Sequence, residues 1–153
     1  MSQVTSETSV TGHRAVQSAL TARIKSYALN ELGADLVGVG NIERFAKAPL
    51  MMSPQGIMPS ARSVIVMAIH HPDACVEIGG QNHPQDIGPY SVQYFMNTRL
   101  DEMSYRLGVF LERQGFKSVP IVSSNIWRYK GYKDLTENFA PDVSHLHAAV
   151  ACG

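Results

Sequence analysis

Thirteen residues, Pro141-Asp142-Val143-Ser144-His145-Leu146-His147-Ala148-Ala149-Val150-Ala151-Cys152-Gly153, gather one carboxylic acid, two imidazoles and one thiol. A carboxyl group in a dry pocket keeps its proton near neutral pH and can donate it, which makes Asp142 the leading candidate for acid chemistry. Its competing role is structural, because Asp142 or Ser144 can cap the helix that the apolar residues downstream predict. His145 and His147 are two positions apart, about 200° around a helix axis. They are not the i,i+4 pair with which a helix holds zinc. A second histidine cluster, His70-His71-Pro72-Asp73, follows an apolar run, where the loops of open sheets often build ligand sites. Neighbouring strand side chains point to opposite faces, so His70 and His71 cannot share an ion while the strand stays regular. A hydrogen-bonded strand terminus is the other reading, and no metal is assigned.

The balance of the chain narrows the function classes. Its 153 residues, 44% apolar and 17% charged, are enough for one core and one domain. Thirteen basic residues face thirteen acidic ones with no Lys/Arg run, which argues against nucleic acid as a partner. The stretch Trp127-Arg128-Tyr129-Lys130-Gly131-Tyr132-Lys133 interleaves aromatic and basic side chains, but on a neutral protein it reads better as a pocket rim or a domain-contact surface than as a base-stacking platform. No run approaches the roughly 18 residues of a membrane span, and the polar start has no secretory h-region, so the expected location is cytoplasmic, with no membrane partner. Cys75 and Cys152 are then expected as reduced thiols, and two thiols cannot hold an iron–sulfur cluster. No Gly-x-Ser-x-Gly elbow, Walker loop or Gly-x-Gly-x-x-Gly turn occurs.

These residues must be positioned by regular elements. Residues 1–13 carry no apolar period and are set aside as a tail, leaving 14–153 as a single domain. From Arg14, the positions Val16, Leu20, Ile24, Tyr27, Ala28 and Leu32 recur at helical spacing and stop at Gly33, a left-handed cap. Ala34–Gly40 reads as a strand whose glycines let another backbone approach. Ile42–Ala48 could form a short helix. Pro49, Pro54, Gly56 and Pro59 make the next stretch a loop in which Met51, Met52, Ile57 and Met58 either fold over the core edge or line an adaptable pocket. Ser63–Ile69 is continuous and apolar, as for a strand buried on both faces and central in its sheet. Residues 70–89, with His83, read as irregular. Tyr90–Gln114 forms the longest helix, with one face made by Val92, Phe95, Met96, Leu100, Met103, Leu107, Phe110 and Leu111 and an i,i+4 pair from Glu102 to Arg106. Gly115 closes it, Phe116–Ser123 regains strand character, and a last helix starts at Asp142 or Ser144. Helices on a mixed sheet, α/β or α+β, is the expected class. Three strands are few for this length, so a further strand in the loops or a further part of the protein is expected to complete the sheet.

Three blocks resemble a known family in order and separation: Glu31-Leu32-Gly33-Ala34-Asp35-Leu36-Val37-Gly38-Val39, Met58-Pro59-Ser60-Ala61-Arg62-Ser63-Val64-Ile65-Val66, and Asp142–Gly153. Together they resemble the N-terminal half of the cobalamin-dependent iron–sulfur reductases, namely epoxyqueuosine reductase and the reductive dehalogenases. The resemblance implies a nitroreductase-like, corrinoid-binding domain, incomplete here, with two [4Fe-4S] clusters in a ferredoxin-like module farther on. It implies that this chain is the front part of such a protein. Asp142 matches the family's acidic residue near the corrinoid, the proposed proton donor, with Tyr90 as a second donor. Ser144, His145 and His147 fall beside the cofactor as hydrogen-bonding or packing residues rather than cobalt ligands, and the chain has no Asp-x-His-x-x-Gly segment to supply one.

Gly88-Pro89-Tyr90-Ser91 matches the epoxyqueuosine enzymes only at the tyrosine, and Ser144-His145-Leu146-His147 stands where they carry Pro and then Glu-Arg. The dehalogenase-like and uncharacterised branches fit better, and tRNA would be a partner only in the epoxyqueuosine branch. The implied function is the corrinoid-binding part of an oxidoreductase, inactive alone, acting on a small-molecule substrate with an external electron donor. A cofactor-free interaction or scaffold domain and a flavin-binding nitroreductase-like domain are the alternatives.

Overall fold

A computed structural model describes residues 17–79, 87–124, 128–132 and 135–153, with side chains described for 17–77, 92–124 and 139–153. The tail, Arg14, Val16, His83 and Trp127 lie outside the described residues, as do the side chains of Tyr90, Tyr129 and Tyr132.

The first helix, α1, spans residues 17–26 and continues into a π-helical turn, Tyr27–Glu31, closed by the Leu32 amide on the Tyr27 carbonyl at 3.1 Å. Gly33 follows with φ 75°, the left-handed conformation glycine adopts without a Cβ penalty. Strand β1, Leu36–Asn41, pairs antiparallel with β2, Ser63–Ala68, in the register Leu36 to Ala68 and Asn41 to Ser63. Between them the chain makes two 3₁₀ turns, Ile42–Phe45 and Leu50–Met52, and one short helix, α2, Pro54–Ile57. The buried Ser53 hydroxyl donates to the Leu50 carbonyl and accepts from the Gly56 amide, which starts α2. Of the apolar residues in this excursion, Ile57 packs on the core while Leu50 and Met51 are exposed.

Alternation sends the two faces of β1 and β2 to different partners. Val37, Val39, Ile65 and Met67 pack against Ile24, Ala28 and Leu32 of α1 and against Met103 and Leu107 of the long helix α4, Ile87–Arg113. Tyr27 and Phe110 stack between those helices, with centroids 4.2 Å apart and planes at 11°. The opposite face, with Val64 and Val66, packs against Phe45, Val143 and the last helix α5, His145–Cys152. The result is a helix–sheet–helix sandwich around two strands. A second antiparallel pair, β3 (Arg128–Tyr132) and β4 (Leu135–Ala140), leads into α5.

The class is α+β, and several expectations need correction. The sheet is not mixed: among the described residues both sheets are two-stranded and antiparallel. The excursion 42–62 holds only short turns and a four-residue helix, with no crossover helix of the kind that returns a chain in parallel. β2 is therefore not central, although both of its faces are covered. Residues 73–79, expected as irregular, form helix α3, Asp73–Gly79, and the polar stretch after Asn125 contains the β3–β4 hairpin. Phe95 is 72% exposed, because α4 meets the core only from Leu100 onward.

Phe116–Ser123 is not a strand; it lies along α4. Asn97, Asp101, Ser104 and Gly108, at steps of four, three and four, form one polar stripe on that helix. The Asp101 carboxylate accepts the Ser123 amide at 2.6 Å, and the Asn97 carbonyl accepts the Ser123 hydroxyl at 3.1 Å. The Ser104 hydroxyl donates to Ile121 O at 3.3 Å, and Ser118 donates to Gly108 O at 3.1 Å. A Cβ on Gly108 would stand 2.8 Å from Pro120 Cγ, so glycine lets the segment lie close. Two side chains of α4, Asp101 and Ser104, thus give the segment's backbone partners that a neighbouring strand would otherwise provide, and two α4 carbonyls accept its serine hydroxyls. Among the described residues no helix is long and apolar enough to cross a membrane.

Candidate functional site

Helix α5 is where most of the candidate residues meet the rest of the fold. The Ser144 backbone is extended, and its hydroxyl accepts the His147 amide at 3.4 Å, so Ser144, not Asp142, is the N-cap. Asp142 sits at a bend between β4 and this cap, half-buried. From the cap, Ala148 and Cys152 turn toward the sheet, while Leu146 and Val150 point outward at 82% and 83% exposure. That is the i,i+4 division of an amphipathic helix, with an apolar outer face in place of a polar one.

The carboxyl end of α5 rests on a seat of glycines. A Cβ on Gly38 would lie 2.9 Å from the Cys152 carbonyl oxygen, and one on Gly40 would lie 2.9 Å from Cys152 Sγ and 3.0 Å from Ala151 O. Glycine at both positions is what lets the helix reach the strand. Two further contacts fix it there, and a third bond closes its last turn. The Cys152 thiol donates to Val64 O at 3.4 Å, the Arg44 guanidinium donates to Ala151 O at 2.7 Å, and the Gly153 amide donates to Ala149 O at 3.2 Å. Burial pushes the Cys152 thiol upward, against a hydrogen bond with the Gly40 backbone and the nearby Arg44 charge. A buried thiol held in its protonated form is a packing group rather than a nucleophile. Cys75 and Cys152 are both free.

The two histidines of α5 part company, as their spacing requires. His147 is exposed, whereas His145 is half-buried against the loop that ends at Ser123. Burial pushes the His145 imidazole below its ordinary value of 6.5, while a hydrogen bond with the Ser123 backbone and the negative charge of Asp101 oppose that shift. Asp101 and Ser123 were not candidates from sequence. The residues that hold this loop, Asn97, Asp101 and Ser104, lie on one side of α4 among several other polar positions, so no local signal singles them out.

The other candidates lie apart from α5. Tyr90 is in the first turns of α4, with its side chain outside the described residues. His70 lies two residues beyond β2 and is hydrogen-bonded there. Its amide donates to Asp35 Oδ2 at 2.6 Å, and its exposed imidazole lies 3.5 Å from Asp73 Oδ1. His71 Nδ1 lies 3.3 Å from Pro72 O. Among the described residues no three His, Cys, Asp or Glu side chains are grouped to hold a metal ion. No family model, curated protein or solved structure matches this chain.

Proposed function

We propose that the chain is the corrinoid-binding part of a cobalamin-dependent reductase, closer to the dehalogenase-like branch than to the epoxyqueuosine branch. One observation carries this reading. The three blocks on which the resemblance rests, separated by tens of residues in sequence, become β1, β2 and α5, which pack on one another through Gly38, Gly40, Val64, Val66 and Cys152. What supports such a group at the outer face of α5 is the apolar surface of Leu146 and Val150 with the exposed His147 on the same helix. Leu146 and Val150 would pack on the macrocycle, His147 would bond its amide fringe, and Ser144 and His145 would orient the helix. Asp142 is the proposed proton donor to substrate, with Tyr90 second. The corrinoid, when bound, supplies the low-valent cobalt chemistry.

The test is direct. The purified chain is mixed with hydroxocobalamin, passed over a desalting column and scanned in the visible. Retained corrinoid absorbance that is lost in Leu146→Glu supports the reading, and a colourless wild-type eluate overturns it. The exposed pair Leu146 and Val150 also suits a cofactor-free interaction domain, which would give that colourless eluate.

A further inference from the structure

The β1–β2 pair has an edge that the rest of the fold leaves unused. The Ile42 amide donates to Arg62 O at 3.0 Å, one step past the Asn41–Ser63 pair, and this sets the alternation of the ladder. Gly38, Gly40, Val64 and Val66 therefore bond across the pair, while Ser63, Ile65 and Met67 turn their amides and carbonyls to the outer side of β2. Among the described residues no hydrogen bond reaches those outward groups. Edge strands are normally blunted by charge, proline or a bulge, and glycine weakens them. β1 holds two glycines, and at its start the Asp35 amide bonds Ala68 O beside the Leu36–Ala68 pair, as in a bulge. β2, Ser63-Val64-Ile65-Val66-Met67-Ala68, carries none of these devices.

We propose that the outer edge of β2 is a docking site for one extended polypeptide strand, which joins the sheet through the backbone groups of Ser63, Ile65 and Met67. The helices above the sheet select this occupant. α4 packs over β2, while the π-helical turn that ends α1 packs over β1. A helix with its side chains is about 10 Å wide and neighbouring strands lie about 4.8 Å apart, so α4 reaches past β2 and roofs the next strand position. A second copy pairing through β2 would bring its own α4 to the same face, and the two helices would compete for one space. A lone strand brings no helix. Ile65 and Met67 face α4 and pack against the cluster that holds Met103 and Leu107, so the neighbouring strand meets an apolar surface on that side. The partner is thus an extended segment with apolar residues at alternate positions. This edge is separate from the outer face of α5 and needs no corrinoid.

The edge is tested by amide hydrogen exchange of the full ¹⁵N-labelled chain, followed by NMR with a synthetic peptide that alternates valine and threonine between terminal lysines. With the peptide at about ten times its Kd, the Ser63, Ile65 and Met67 amides exchange about tenfold more slowly, while Val64 and Val66, already bonded to β1, change least. Ile65→Pro takes away the central outward donor and leaves the β1–β2 bonds in place, so the protection is lost. Ser63→Pro does the same at an exposed position and carries the test if Ile65→Pro fails to fold. Exchange at Ser63, Ile65 and Met67 that the peptide leaves unchanged overturns the proposal, as does protection that survives in the proline variants. Slowing of the same three amides with rising protein concentration alone, together with a dimer in sedimentation, also overturns it, because the occupant would then be a second copy.

Discussion

Cys152 Sγ occupies the space that a side chain on Gly40 would need, 2.9 Å from where its Cβ would stand. This fixes the residue type at both ends of the contact, one by its absence of a side chain and the other by its size. Gly40→Ala should therefore destabilise the protein by about 1–3 kcal/mol through overpacking. Chemical denaturation would show this as a lower urea midpoint with an unchanged m-value. Gly40→Ala combined with Cys152→Ala should recover part of the loss, because the nearest atom is gone, although Ala151 O remains at 3.0 Å.

Ser144→Ala removes the side-chain acceptor of the α5 cap. The bond is long, 3.4 Å, so the cost should lie at the lower end of the range for caps, about 0.5–1 kcal/mol. Ser144→Asp should restore the stability, since a carboxylate caps equally well and suits the helix amino terminus. Equal urea midpoints for wild type and Ser144→Ala would show that the cap contributes nothing.

The His145 shift has a defined sign in stability. Its folded value lies below the ordinary 6.5 because burial disfavours the charged ring, so between the two values the unfolded chain binds more protons than the folded one. The contribution is fully present above 6.5 and is lost as pH falls from there through the folded value. Unfolding free energy measured between pH 8 and pH 5 should drop below about 6.5 in the wild type and drop less steeply in His145→Gln.

Cys152 should resist thiol reagents in the native state, because it is buried and its thiolate is disfavoured. Iodoacetamide followed by peptide mass mapping should label Cys75, which is half-buried, well before Cys152. Denaturant should bring the two to similar rates. Early labelling of Cys152 in buffer would mean that α5 leaves its seat readily.

Helices and strands with strong periods were legible in the sequence. Ile24, Ala28, Leu32, Met103 and Leu107 sit in the core at the spacings that predict them, and Gly33 and Gly115 take positive φ where a helix must stop. Gly38 and Gly40 signalled a close approach, although the partner, α5, could not be read from β1 alone. The strand-like composition of Phe116–Ser123 is local, while the groups that hold it off a sheet, on Asn97, Asp101, Ser104 and Gly108, lie on a different element. The same non-local cause hid Asp101 as a neighbour of His145. Local pattern determines what a segment can form, and the partner that satisfies its backbone determines which option it takes.

The glycine seat also bears on the order of assembly. The bonds across it span 88 residues between Cys152 and Val64 and 107 between Ala151 and Arg44, whereas α1 and β1 are separated by only the few residues around Gly33. Ring closures of that length are entropically costly and form late in a chain of this size. The long closures should therefore make the contacts of α5 with Val64 and Val66 among the later ones to form. Substitutions in the glycine seat should then speed unfolding more than they slow folding, so α5 acts as a latch on the time the folded chain persists.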